Sequence, residues 1–321
     1  MPKILFASNS VSHFPGSIIG TDSWSFDSNR VPYSIRCPLA TIASSPNFTP
    51  TTTDETWVHF RFGSNLWFVN NDEPIVEIVD ISGNRILQLS MFNKAAEGYH
   101  LRYSINGTSN TISRAVPILA SSLTTCDIKV GLSSVNASIE VFINEMRIFD
   151  VSFAISDHEK PRAIWLGGSY GSGGSGQINY SEIIVADADT RNARLDLLRP
   201  VSAGAYGQWN GPLSSLSDDD PTTGMTTTVA DQKQSTVLTP YTGANNISNI
   251  VQVTTSVRGL NSPTKLQHLL RMSAVDYFTS SFDVPYAKDF QVTDWQLNPA
   301  TSLPWVAADL VGTEFGFKSV A

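Results

Sequence analysis

The chain has 321 residues, of which 41% are hydrophobic, 10% aromatic and only 16% charged, with a formal net charge of −8. Average globular proteins carry roughly 25% charged residues, so long charged side chains of the kind that coat helices are scarce, and the length exceeds what one core usually serves. The acidic balance, with no clustering of Lys and Arg, argues against binding to phosphate backbones, and no window reaches the roughly 18 apolar residues that span a bilayer.

Residues 1–30 have little core-like pattern and read as an N-terminal arm that orders on contact with neighbouring subunits. Met1 to Ala7 lacks the apolar core and cleavage site of a secretory signal, which points to assembly in the cytoplasm of the producing cell. From Glu55 to Phe62 the chain alternates with period two: Trp57, His59 and Arg61 share one face, and Val58, Phe60 and Phe62 share the other. Pro74–Val79 and Ile86–Phe92 are apolar runs split by a segment containing Gly83-Asn84, a hairpin signal. Tyr99–Ile105 alternates again and stops at Asn106-Gly107, a turn of the same kind.

Cys126–Val130, Ile139–Ile143, Met146–Phe149, Ala163–Leu166 and Tyr180–Val185 complete a set of short strands in the first 190 residues. A short helix is expected over Thr190–Leu198 with Asp189 as its cap, and the change of composition at 197–206 marks a domain boundary. Beyond it, residues 214–234 read as a long loop, another segment that orders against a neighbour. Strands resume at Ser235–Leu238, Ile250–Val257, Leu266–Val275, Phe290–Trp295 and Phe315–Val320, with a short helix over Pro304–Val311. The expected fold is therefore all-β: two antiparallel β-sandwich (jelly-roll-like) domains in series, 1–198 and 199–321, with one or two short helices.

Few residues suggest chemistry. Glu73 and Glu77 share a strand face about 13 Å apart at 3.3 Å per residue, while glycosidases hold their carboxyls within about 9.5 Å; Asp80 faces the other way. The glycine-rich loop 167–176 lacks the Lys-Ser or Lys-Thr that closes a phosphate loop, and a strand follows it. Tyr170 at its tip is a candidate ligand or partner contact. Asp218, Asp219 and Asp220 are the densest acidic cluster and the weak candidates for a hard cation, although three consecutive acids do not all aim at one ion. The five histidines pair with no nucleophile, and His59 and His100 read as packed or surface strand residues rather than bases. Cys37 and Cys126 form no metal motif; buried free thiols are the preferred reading, with a bridge between them left open because sequence does not show whether the geometry fits. No catalytic residue and no cofactor is expected.

Two resemblances follow. The segments Tyr99–Ile105, Cys126–Val130, Ile139–Phe149 and Ala163–Val185 resemble the concanavalin-like or laminin-G-like jelly roll, whose hairpin has the form seen in Glu140-Val-Phe-Ile-Asn144-Glu145-Met146, here with Glu where Gly is usual. The last residues resemble a C-terminal domain of phage tail and other virion proteins, through Asn298-Pro-Ala-Thr301, Pro304-Trp305, Asp309-Leu310 and Glu314–Lys318. These resemblances imply a non-enzymatic structural protein of a bacteriophage virion, associated with tail, baseplate or fibre. Its partners would be other virion proteins, further copies of itself in a homo-oligomer, and a host-surface glycan, but neither nucleic acid nor a membrane. A capsid decoration protein is the alternative, and a polysaccharide-degrading enzyme the second alternative.

Overall fold

The computed structural model describes all residues except Met1, 39–40, 66–72, 95–97, 106–107, 112–114, 134–135, 155–158, 168–176, Pro221 and Asn245. They form two compact units, Pro2–Leu195 and Asp196–Ala321, each built of antiparallel strands.

The N-terminal unit opens with β1 (Ile4–Ser8), β2 (Ile18–Gly20), β3 (Ser34–Cys37), β4 (Ala43–Ser44) and β5 (Glu55–Ser64). It continues through β6 (Glu73–Val79), β7 (Arg85–Lys94), β8 (Gly98–Ile105), β9 (Thr108–Thr111) and β10 (Thr124–Leu132). β11 (Asn136–Ile143), β12 (Met146–Ala154), β13 (Ala163–Leu166) and β14 (Ile178–Ala186) complete it. One sheet runs β12-β11-β10-β5-β14-β3-β2, with β1 also on β14; the other runs β4-β13-β6-β7-β8-β9. Their inner faces meet as a jelly-roll-like sandwich, filled by Phe60, Phe62, Ile75, Ile78, Leu87 and Leu89, all fully buried. The period-two face read at Val58, Phe60 and Phe62 is this inner face. Tyr180 on β14 ties the two sheets together, its hydroxyl 2.5 Å from the Ile75 carbonyl of β6. Burial without a counter-charge pushes that hydroxyl's pKa well above its ordinary value. Cys37 and Cys126 are buried and not bonded to each other.

The residues read as an N-terminal arm belong to the sandwich. All of β1 is buried, and it pairs with Ile183–Ala186 of β14, while β3 takes Ile178–Tyr180 on the same edge. Five residues of Ile-Leu-Phe-Ala-Ser are too short to declare a period, yet the vacant half-edge of a central strand recruits them.

The hairpins fall where the turn residues place them. Gly83, with φ of 79°, sits in the β6–β7 turn, where the Asp80 carboxylate accepts from Ser82 N, Asn84 N and the Asn84 amide. Asn144 and Glu145 both take positive φ between β11 and β12, as a type I′ turn requires. Asn144 tolerates it because its amide is bound on both sides, accepting from Thr125 N and donating to the Pro117 carbonyl. The Asn106-Gly107 turn lies outside the described residues.

The C-terminal unit contains β15 (Pro200–Gly207), β16 (Lys233–Leu238), β17 (Ile250–Ser256) and β18 (Lys265–Met272). β19 (Val275–Phe278), β20 (Phe282–Asp283), β21 (Asp289–Trp295) and β22 (Glu314–Val320) follow. Its larger sheet runs β15-β16-β22-β18-β19 with β20 on β18, and β17 and β21 form a separate ribbon. The ribbon lies on the sheet through Ile250 and Trp295, which pack on a core of Leu270, Met272, Trp305 and Phe315. Polar contacts add to it: the Gln252 amide donates to Gly316 O at 2.7 Å, and the Trp305 indole donates to Trp295 O at 2.7 Å. Gly316 is obligatory there, because a Cβ would come within 1.9 Å of the Gln234 carbonyl.

Several expectations are corrected. The stretch chosen as a boundary contains β15, an exposed edge strand whose Ser, Ala and Gly residues hide its period. Leu266–Val275 is not one strand, since Ser273 and Ala274 turn the chain at positive φ and no glycine announces the hairpin. Thr190–Leu198 is not helical: the Asp189 carboxylate accepts from Arg191 N two residues on, and Arg194 and Leu195 are held to the first unit by bonds to Glu182 described below. The helix read over Pro304–Val311 shrinks to one 3-10 turn, Ala307–Leu310. The 214–234 segment is mostly loop and opens in a 3-10 turn, Leu213–Leu216.

His268 on β18 is fully buried, with Nδ1 2.6 Å from the Thr293 hydroxyl of β21 and Nε2 without a hydrogen-bond partner. Burial lowers its pKa from 6.5 to about 3. Below pH 6.5 the unfolded chain therefore binds a proton that the fold rejects, so the contribution is complete above 6.5 and is lost as pH falls toward 3. The slope reaches about 1.4 kcal/mol per pH unit. In urea melts between pH 7 and 5, His268→Gln is expected to flatten the acid loss of stability of the C-terminal unit; parallel slopes for variant and parent would contradict it.

Candidate functional site

Part of the outer face of the eight-stranded sheet, around His59, Asp127 and Glu182, is polar and lies beneath two covering segments. On β5, Trp57, His59 and Arg61 point outward, as their alternation indicates. His59 is 1% exposed, and its Nδ1 lies 2.8 Å from Asp127 of β10, directly opposite in register. The Thr190 hydroxyl donates to the same carboxylate oxygen at 3.0 Å. An imidazole so enclosed is a packed residue, as expected, out of reach of any substrate.

Beside it, β14 bulges between Ser181 and Ile184. Glu182 there adopts φ of 53° with its amide donating to the Asn9 side chain, which aims its buried carboxylate along the sheet. Arg194 binds it with two nitrogens at 2.7 and 2.9 Å, Arg61 lies at 3.2 Å, and Leu195 N donates to it. Burial alone would raise the pKa of Glu182; the Arg194 hydrogen bonds and charge, the Leu195 amide and Arg61 outweigh it and hold the carboxyl below its ordinary value. Arg194 also reaches Asp27 at 2.8 Å, so one guanidinium clasps both covering segments. Arg191 lies over the rings of Trp57 and Phe142, which stack 6.0 Å apart.

The outer face of the six-stranded sheet carries a row across four strands: Trp165, Glu77, Gln88 and Ser104 stand opposite one another in register. Glu77 is nearly buried and gripped by Arg85 at 2.8 and 3.0 Å and by the Gln88 amide at 3.0 Å. Trp165 beside it is partly exposed. Glu77 is thus ion-paired, and Asp80 is occupied by its turn. A cleft of about 490 Å³ opens at one end of the eight-stranded sheet, among Asp54, Leu132, Asn136, Ser138, Ser152 and Phe153.

Asp218, Asp219 and Asp220 turn to different partners. Asp219 pairs with Arg199 at 2.6 Å, Asp218 accepts from the Thr223 hydroxyl, and Asp220 accepts from Thr222. Among the described residues no three His, Cys, Asp or Glu side chains gather to hold a metal ion. Tyr170 lies outside the described residues.

The C-terminal unit differs in its surface. Eleven of the seventeen large apolar side chains exposed among the described residues belong to it, although only eight of the fifty-six buried hydrophobic residues do. Its second feature is a cleft of about 200 Å³ lined by Leu198, Leu238, Pro240, Tyr241, Leu310 and Val311. Sequence reading missed this surface, because its members, such as Leu260 and Val311, each 84% exposed, sit singly in loops.

No protein-family model and no curated protein matches the chain. Among solved structures it is similar to the carbohydrate recognition domain of Emp47p, at 13% identity and a TM-score of 0.38, over 59% of this chain and 95% of that one. A tetrameric galectin from the ball sponge Cinachyrella sp. aligns at 13% identity and a TM-score of 0.30, over 44% of this chain and 99% of that one. A sialidase aligns at 10% identity and a TM-score of 0.37, over 59% of this chain, which spans 19% of the sialidase.

Removing the guanidinium that faces a buried carboxylate leaves a charge without its main partner. Arg194→Ala is expected to cost the N-terminal unit about 2 kcal/mol at neutral pH. Because the depressed Glu182 contributes stability above the ordinary carboxylate pKa and loses it on acidification, removing Arg194 should also shrink that acid loss, so the gap between variant and parent narrows from pH 7 to pH 4. Urea melts at pH 7 and 4 measure both, and an unchanged melt at pH 7 contradicts the clasp.

Proposed function

We propose that the protein is a non-enzymatic structural protein of a bacteriophage virion, associated with tail, baseplate or fibre, that docks onto neighbouring subunits through its C-terminal unit. The observation that carries this is the imbalance just described: a unit with a small core and many exposed apolar side chains is suited to burying them against another protein. The residues on which the virion resemblance rests hold the C-terminal unit together. Asn298, nearly buried, closes a turn by accepting from Ala300 N. Trp305 fills the core, and Asp309 accepts from Val306 N to fix the 3-10 turn. These residues build the corner between β21 and β22. A binding role rather than catalysis is further supported by the engagement of Glu77, Asp80 and Glu182 in ion pairs or turns.

Glycan binding belongs to the same reading and is favoured by one observation, the row on the six-stranded sheet. A partly exposed indole suits the C–H face of a sugar ring, and the adjoining Gln88, held in place by Glu77, supplies a hydroxyl partner. Trp165→Ala is expected to abolish retention on a host-surface polysaccharide column; equal retention of the variant would remove this row from the reading.

Imaging of purified particles labelled with antibody against residues 200–321 tests the virion role. Label on the tail is expected. Label over the head would make the protein a capsid decoration protein, and particles without label would overturn the proposal.

A further inference from the structure

Two apolar features of the C-terminal unit stand at opposite ends of its ribbon. The cleft adjoins the Ile250–Trp295 end, since its lining residues Leu238, Leu310 and Phe315 belong to the cluster on which Ile250 and Trp295 pack. At the other end, where Ser256 faces Asp289, the chain forms a knob. Leu260, 84% exposed, tops a turn closed by Ser262 N on Gly259 O, with Asn261 at φ of 64°. Val257 and Tyr286, 58% and 62% exposed, flank it. The knob is a built object: Arg258 N donates to Pro285 O, which ties its two loops together, and the Arg258 guanidinium lies 3.9 Å over the Tyr286 ring. The ends are about 20 Å apart along β17 at 3.3 Å per residue, so a knob cannot fill the cleft of its own unit.

The two features complement each other. Apolar cavities of roughly 150 Å³ take up a benzene ring, so a cleft of about 200 Å³ has room for one aliphatic side chain. Charge matches as well. Arg258 beside the knob has no carboxylate partner among the described residues, and Asp309, next in sequence to the cleft residue Leu310, has no basic one.

We propose that the C-terminal unit binds a second copy of this chain head to tail, with Leu260 of one copy entering the Leu198–Leu238–Tyr241–Leu310–Val311 cleft of the next, Val257 and Tyr286 resting on its rim, and Arg258 meeting Asp309. This rests on the docking role proposed above and names its partner. Because the two surfaces differ, the contact is heterologous: it closes into a ring where the rotation permits and otherwise propagates.

Sedimentation of the full chain over a concentration series tests it. The parent is expected to self-associate, and Leu260→Asp and Val311→Asp to weaken association at least about tenfold with unchanged melting, since both side chains are on the surface. Mixing a Leu260→Cys chain with a Val311→Cys chain should give an intermolecular disulfide under oxidising conditions, while Leu260→Cys alone should give none; the native cysteines are buried. A parent that stays monomeric, association indifferent to both Asp variants, or efficient crosslinking of Leu260→Cys to itself would each overturn the proposal. A monomeric chain that still labels the particle overturns the self-contact and leaves the virion reading standing. A self-associating chain absent from particles supports the contact and removes the virion reading.

Discussion

A carboxylate cut off from water must find its counter-charge within the protein, and Glu182 finds it in Arg194 and Arg61. That requirement organises one whole side of the N-terminal unit. The bulge in β14 sets the carboxylate beside Arg61, Arg194 comes to it along the segment that follows β14, and Asp27 brings the segment between β2 and β3 to the same guanidinium. Thr190 and Arg191, a few residues earlier, fasten the same strap over Asp127 and over the Trp57–Phe142 stack. A sheet face bearing His59, Arg61 and Asp127 thereby becomes a second, polar interior, held by directional contacts where the sandwich core is held by area.

This also explains what was legible in the sequence. Alternation in β5, paired runs around Gly83-Asn84 and the short strands from Cys126 to Val185 report on local geometry, and the structure places strands on each. The strap was illegible for the opposite reason. Asp189 followed by a polar run looks locally like a capped helix, but its conformation is dictated by Glu182, Asp127 and Asp27, two of them far away in sequence. Likewise β1 is a strand because β14 has a vacant half-edge, and β19 begins after a turn whose positive φ values fall on Ser273 and Ala274. Of the polar row on the six-stranded sheet, only Glu77 was singled out in the sequence. The register, which brings Trp165 beside Glu77 and Gln88, exists only once β13, β6 and β7 are paired.

The two units solve the problem of stability differently. The first encloses a continuous apolar layer between sheets of eight and six strands. The second lays a two-stranded ribbon, an arrangement of little stability by itself, on a six-stranded sheet and secures it with a few specific contacts: Gln252 on Gly316, His268 beside Thr293, and Trp305 on Trp295. A ribbon held in this way keeps its free edges and loop ends at the surface, where the apolar side chains of this unit are found.

Both cysteines of the chain lie inside the first unit, on β3 and β10, on either side of β5 and β14 in the sheet. Burial pushes the Cys37 thiol up to about 12 and that of Cys126 well above its ordinary value, so neither offers a thiolate while the sandwich is closed. Their reaction with a thiol reagent is gated by opening of the eight-stranded sheet. The sequence thus carries an intrinsic chemical clock, one that times the breathing of a single domain within an intact chain.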